Sequence, residues 1–364
     1  MHRYILILCG FLFMSNLMIS QDLHYSYYHF TPLTVNPALA GAYNGSYRVG
    51  GIFKSQFFQA ANTQGYTTLN LFIDAPIIRG FRKNDWIGIG LETNVLGWAG
   101  NHINKESTSP DQMLTGNSLN WTNFKAGAAY HFSLNKKQTS IITLGAQYNT
   151  ATMNFHEFTN LDSRYGIVTR KPDPDIDAFL RQRSGGGNNT NPNQQGIRLG
   201  YKDWNVGLLF NKKGKDSDLK IGASIEGFLR PRIPDNTNRK PVGINAHASY
   251  EMALNKRTKI EPAAYYYSLG AANALNINGQ VKYLVNEEKE FTVTGGLGMR
   301  NLRQAILLGG AQFKEYRVGA SFDLDISTYM PASQNVGGFE IALIYMGKIY
   351  KRPKPEPVIF CPRL

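Results

Sequence analysis

From Tyr47 to Lys348 the chain repeats one pattern, short segments in which apolar and polar residues alternate. In the stretch from Tyr316 to Ile326, Tyr316, Val318, Ala320, Phe322, Leu324 and Ile326 share one side; Arg317, Gly319, Ser321, Asp323 and Asp325 share the other. Successive side chains of a strand point to opposite faces, so this segment has one greasy face and one wet face. A tilted strand crosses a bilayer in roughly 9–11 residues. About fourteen such segments in succession predict an all-β fold, a transmembrane outer-membrane β-barrel of antiparallel strands with lipid outside and water inside.

The strands are expected at Tyr47–Phe53, Thr67–Ala75, Trp86–Val95, Asn120–Phe132, Ser140–Thr150, Trp204–Phe210 and Leu219–Leu229. They continue at Val242–Leu254, Thr258–Ser268, Ala274–Val285, Phe291–Arg300, Gln304–Phe313, Tyr316–Ser327 and Phe339–Lys348. Glycine recurs inside them, where it permits the bends that closing a sheet demands. Long connections tend to follow odd-numbered strands (Asn94–Leu119, Thr150–Asp203, Arg230–Pro241, Ser327–Gly338) and short basic ones even-numbered strands. Outer-membrane barrels sort their connections this way, with short periplasmic turns and long extracellular loops, and an even strand count puts both termini in the periplasm. The gaps Leu269–Asn273 and Asn301–Arg303 are short and break the rule.

Residues 1–20 read as a signal peptide: His2 and Arg3, then the apolar run Ile5–Phe13, then a cut before Gln21. Removal of Arg3 takes the formal charge from +13 to +12. No later window has 18 uninterrupted apolar residues, so no transmembrane helix is expected. Residues 21–45 carry Tyr, Pro32 and Pro37 and are too irregular for a strand; they are expected to fold under or into the lumen from the periplasmic side. Residues 46–348 form the barrel, with a long insertion at about 151–203, and the Pro-rich tail 349–364 reads as a stiff periplasmic arm. In the insertion, Asp173, Asp175, Asp177 and Phe179 are candidate partner-binding residues, and the Gly/Asn-rich tract after Ser184 reads as a tolerated elaboration.

Cys361 is the only cysteine after the signal, so no internal disulfide and no cysteine zinc site can form. The basic balance reads as solvated turn charge facing lipid headgroups or an acidic protein surface, not nucleic acid. No Gly-x-Ser-x-Gly elbow, Walker loop or His-Glu-x-x-His motif occurs, so no enzyme activity, cofactor or metal is expected. Glu226, Arg317, Asp323, Asp325 and Glu340 fall on the wet faces of their strands and are candidate lumen-facing residues. Asp323 and Asp325 read as barrel lining before they read as a cation site. Aromatics at strand ends, such as Phe53, Trp86, Tyr148, Trp204, Tyr316 and Tyr345, suit headgroup-level belts, although all β proteins are enriched in them.

Two end motifs add a resemblance. Near the mature start stands Asn36-Pro37-Ala38-Leu39-Ala40-Gly41, followed by Arg48; near the end stand Gly338, Phe339, Glu340 and Tyr345, then Cys361-Pro362-Arg363. In order and spacing these resemble the PorP/SprF family of the Bacteroidetes type IX secretion system. Leu364 stands where the family pattern has a terminal aromatic. The resemblance implies an outer-membrane barrel that works with the secretion or gliding machinery. It implies partners of two kinds: a large exported surface protein or adhesin, secreted or retained through its C-terminal domain, and periplasmic components of the core secretion complex. A passive channel for small solutes is the competing reading.

Overall fold

The computed structural model describes residues 25–56, 66–79, 84–103, 114–156, 197–231, 239–269, 272–326 and 336–349. Their strands are β1 (Tyr47–Gln56), β2 (Tyr66–Arg79), β3 (Trp86–Ile103), β4 (Leu114–Ser133), β5 (Ser140–His156), β6 (Ile197–Lys213) and β7 (Ser217–Glu226). The second half holds β8 (Gly243–Ala253), β9 (Thr258–Leu269), β10 (Ala272–Asn286), β11 (Phe291–Arg300), β12 (Gln304–Phe313), β13 (Tyr316–Asp325) and β14 (Val336–Gly347). Each strand pairs antiparallel with its sequence neighbours, and β1 pairs with β14, Tyr47 opposite Gly347 and Gln56 opposite Gly338, so the sheet is a closed 14-strand barrel. Closure leaves no edge with unpaired backbone groups, the condition for a sheet to sit in lipid.

The alternation sets which side faces out. On β14, Ile341 and Leu343 are 60% and 50% exposed, whereas Glu340 and Ala342, which alternate with them, are 1% and 3% exposed. On β13, Val318 points outward and Asp323 is buried in the lumen. A water-soluble sandwich would reverse this order. Outward rings cluster at two levels. Tyr316 and Tyr47 pack on Tyr345, with centroids 4.9 and 5.9 Å away, at the end where the barrel closes by short turns. The pairs Phe53–Phe339 and Tyr148–Trp204 lie further up the wall. Rings at two heights on a lipid-facing wall match headgroup belts.

Four strands run longer than expected. β3, β4, β5 and β6 have 18, 20, 17 and 17 residues, all extended at the end opposite the short turns. The expected gap Asn94–Leu119 therefore shrinks to 104–113, and the expected connection 151–203 begins and ends inside β5 and β6. Ladder pairing continues there, in β5 and β6 with an alternation the sequence still carries (Ala151, Met153, Phe155 and Ile197, Leu199, Tyr201), so the expected boundaries stop too early. Residues 157–196, with Asp173, Asp175, Asp177 and Phe179, lie outside the described residues, as do Cys361, Pro362 and Arg363.

No helix among the described residues is long and apolar enough to cross a membrane. The only helical pieces described are single turns before β1, at Tyr28–Phe30, Pro32–Val35 and Pro37–Leu39. They lie inside the barrel. The lumen is not uniformly polar there: Ile52, Phe72, Ile306, Leu308, Ala342 and Ile344 point inward and pack against Tyr25, Tyr27, Phe30 and Leu33.

Candidate functional site: the plugged lumen

The segment from Tyr25 to Gly41 cannot make a strand. Pro32 and Pro37 fix φ and lack an N–H, and each sits in the first turn of a short helix, where that loss is tolerated. The turns fold the segment into a plug whose backbone groups are satisfied partly by its own turns and partly by lumenal side chains.

Asn36-Pro37-Ala38-Leu39-Ala40-Gly41 is the plug's gripping element. The Asn36 side-chain oxygen accepts from the Ala38 N–H at 2.9 Å, capping the turn. Its side-chain nitrogen donates to the carbonyls of Leu208 (3.0 Å) on β6 and Ala223 (3.3 Å) on β7. Ala38 is fully buried against Gly145 of β5, where a β-carbon would collide with the Ala38 backbone. Gly41 closes the motif at φ +72°, a left-handed value that favours glycine. An added β-carbon there would also lie 2.8 Å from Gly88 Cα.

Arg48 and Asp74 hold this end. The Arg48 guanidinium donates two 2.8 Å bonds to the Asp74 carboxylate, and the Gly41 N–H donates to the same carboxylate at 2.7 Å. Trp86 Nε1 donates to the Gly41 carbonyl at 3.0 Å, and His131 Nε2 lies 2.8 Å from the Ala40 carbonyl.

A second cluster holds the other end. Glu340 accepts the Ser26 and Tyr27 N–H groups at 2.7 and 2.8 Å and the Ser321 hydroxyl at 3.0 Å, and pairs with Lys54 at 3.3 Å. The Ser26 hydroxyl donates to Asp323, which pairs with Arg300 at 3.3 Å; Arg300 also donates to the Ser26 hydroxyl. Asn276 of β10 donates to the Ser26 carbonyl at 3.1 Å. A buried charge is tolerated only when paired and hydrogen-bonded, and both carboxylates meet that condition. In the middle of the plug, Thr34 bonds to Glu92 and Ser224 donates to the Val35 carbonyl at 3.0 Å.

Between the plug and the short-turn end lies a cavity of about 240 Å³, lined in part by His29, Lys220, Glu251, Glu261, Lys282 and Arg317. Lys282 bridges Glu251 and Glu261 at 2.6 Å each. Arg317 donates to Gln312 at 3.3 Å. Burial lowers the His29 imidazole from 6.5 to about 4, against the opposing pull of Glu261.

Six of the motif residues thus meet in one lumen without forming a single constellation. Asn36, Pro37, Ala38, Gly41 and Arg48 build one grip and Glu340 the other. Gly338 leaves space beside the Ser55 carbonyl, while Phe339 and Tyr345 face outward in the ring belts. Asp325 is buried in the lumen, and Glu226 pairs with Lys240 at 3.4 Å near the long-loop end. Sequence reasoning passed over Lys54, Asp74, Glu92, His131 and Arg300. Each is a polar residue on the wet face of an amphipathic strand, a signal that marks lumenal placement but not the partner. Among the described residues no group of His, Cys, Asp and Glu could hold a metal ion.

A family model described as "Type IX secretion system membrane protein PorP/SprF" matches residues 18–345. No curated protein matches the chain. Among solved structures, the toluene transporter TodX of P. putida is similar at 11% identity, covering 87% of this chain and 93% of that one with a TM-score of 0.52. The TodX deltaS2S3 mutant monoaromatic hydrocarbon channel gives 9% identity, 87% and 94% coverage and the same score. At this identity the likeness shows the barrel fold alone.

Proposed function

The chain belongs to the PorP/SprF family of type IX secretion system membrane proteins, and on that premise we propose that this outer-membrane barrel is a non-enzymatic receptor that helps secrete and retain a large exported surface protein through its C-terminal domain. In this reading the short turns and both termini face the periplasm, where secretion-machinery components dock, and the long loops face outward toward the adhesin-like partner.

The observation that carries the reading is the plug. Phe30 abuts Gly319 on β13 and Ala38 abuts Gly145 on β5, so the segment bridges walls far apart around the ring. Both ends are fixed by buried ionic clusters. A lumen filled in this way favours a gripping role over passive passage of solutes. The test is affinity purification from native outer membranes. Co-purification of one large exported protein supports the proposal; recovery of periplasmic secretion components alone places the barrel in the core complex; recovery of neither returns the solute channel to the front.

A further inference from the structure

We propose that the cavity between the plug and the short-turn end is a binding site for a single carboxylate, with Arg317 as its cation. This goes beyond the receptor reading and does not depend on it. Arg317 of β13, Gln312 of β12 and Thr292 of β11 lie directly opposite one another in the ladder, so they form one row across three strands of the cavity wall. Arg317 and Thr292 are the second residues of strands that start at the short-turn end, and Gln312 is the second-last of one that finishes there. The row therefore stands one residue inside the rim. All three side chains line the cavity and are half-buried, not sealed off. The cavity of about 240 Å³ is far larger than the roughly 10–15 Å³ that one water needs.

The charges of the lining leave Arg317 over. Arg48 is answered by Asp74, Lys220 by Asp218 at 3.6 Å, and Lys282 by Glu251 and Glu261 at 2.6 Å each. Arg317 has no ion pair among the described residues; it donates to Gln312 at 3.3 Å, and most of its N–H donors stay free. Thr292 and Thr294, in the same lining, make no side-chain hydrogen bond among the described residues. A cation held inside a lumen calls for an anion.

The arginine fork fits carboxylate and phosphate alike, and the rest of the lining decides between them. A phosphate monoester brings about 1.5 to 2 negative charges. Asp218, Glu251 and Glu261 line the same space and repel the excess. One surplus positive charge matches one carboxylate. The threonine hydroxyls, each donor and acceptor, are placed to bond the group that carries it. That group is either a free organic acid or an acidic side chain of a protein segment entering from the short-turn end.

The test is calorimetric titration of the detergent-solubilised full barrel. The probes are benzoate with its neutral counterpart benzamide, and capped Gly-Asp-Gly with capped Gly-Asn-Gly. At least one acid is expected to bind about tenfold or more tightly than its neutral counterpart, and Arg317→Gln is expected to remove the difference. Tighter binding of the Asp peptide than of benzoate assigns the site to a protein side chain; the reverse order assigns it to a free acid. Equal affinities for charged and neutral probes, binding of neither acid, or unchanged binding by Arg317→Gln overturns the inference. Inorganic phosphate bound more tightly than either acid overturns the choice of carboxylate. Phenylglyoxal labelling of the wild type, mapped by mass spectrometry, gives a check that needs no variant. Arg317 should react, and the acid that binds should slow that reaction by about tenfold or more at saturation. An Arg317 that resists the reagent, or reacts at the same rate with the acid present, refutes the site.

Discussion

Arg48 and Asp74 form a two-pronged ion pair, Nε to one carboxylate oxygen and a terminal nitrogen to the other, both at 2.8 Å. The same carboxylate takes the Gly41 N–H, and the same guanidinium reaches the Leu39 carbonyl at 3.2 Å. One pair of residues on β1 and β2 therefore fixes the last turn of the plug from both its donor and acceptor sides. The planar fork of arginine is what makes this geometry available.

Asp74→Ala is expected to be among the more damaging single changes in the lumen. It strands the Arg48 charge and frees the Gly41 N–H together. Removing one partner of a buried pair typically costs about 3–5 kcal/mol. The Arg48 side chain is 11% exposed and keeps little hydration, so the middle of that range is expected. Arg48→Lys should lose less, because a single ammonium still reaches the carboxylate. Urea unfolding of the detergent-solubilised barrel measures both; equal midpoints for wild type and Asp74→Ala would refute the assignment.

Lys54 and Glu340 make the complementary case, since Glu340 also accepts two plug N–H groups. Lys54→Met leaves the carboxylate with its hydrogen bonds but without its counter-charge. Glu340→Gln leaves a buried ammonium beside Arg300 and removes one acceptor. The double variant should be less destabilised than the sum of the singles, with a coupling of about 1–3 kcal/mol. Additive midpoint shifts would show that the two side chains do not share one interaction. The readout should include protease cleavage within residues 25–41, which reports plug docking directly.

The barrel wall was legible because lipid outside and a wet lumen force a period of two that survives in sequence. Tyr316 to Asp325 shows it residue by residue, and the strand count follows from repetition. The long ends of β3 and β4 were not legible, because beyond Leu96 and before Leu119 neither alternate set of residues stays apolar; those of β5 and β6 do alternate but are too short to stand out from the long connection they border. Ile306 and Leu308 were invisible for a different reason. They line the lumen as greasy residues because the plug's Tyr27 and Phe30 cover them, and no local rule anticipates a partner some 280 positions away. The same holds for the grips. Asn36 announces a turn by its place before Pro37, and Glu340 announces the lumen by its neighbours, yet the strands they bind are fixed only by barrel closure.

Plug docking should weaken in mild acid. His29 sits in the plug facing Glu261, Lys282, Arg317 and Lys220, and burial lowers its docked value to about 4 from an ordinary 6.5. The released plug therefore binds more protons than the docked one between these values. Its contribution to docking is full above about 6.5 and is lost progressively as pH falls toward 4. Protease cleavage of the segment should rise from pH 7.5 to pH 5. His29→Asn should flatten that part of the profile while leaving cleavage at pH 7.5 little changed; an identical pH profile in the variant would assign the effect to other groups.

Planar-bilayer recording separates a plugged receptor from an open channel. The wild-type barrel should pass little current, because Tyr25–Gly41 spans the lumen and both ends are tied by ionic clusters. The cavity of about 240 Å³ on the short-turn side does not change this, since plug residues Tyr27, Tyr28, His29 and Phe30 form one of its walls. Deleting residues 25–41 removes that wall and exposes Ile306, Leu308 and Ile344 to water, so the variant should conduct steadily and melt at a lower temperature. The destabilisation follows from the lost apolar contacts, at about 25 cal/mol for each Å² returned to water. Asp74→Ala should fall between, with brief openings as the plug's last turn detaches. Steady wild-type conductance equal to that of the deletion would mean that the segment does not close the lumen, and the receptor reading would lose its main support.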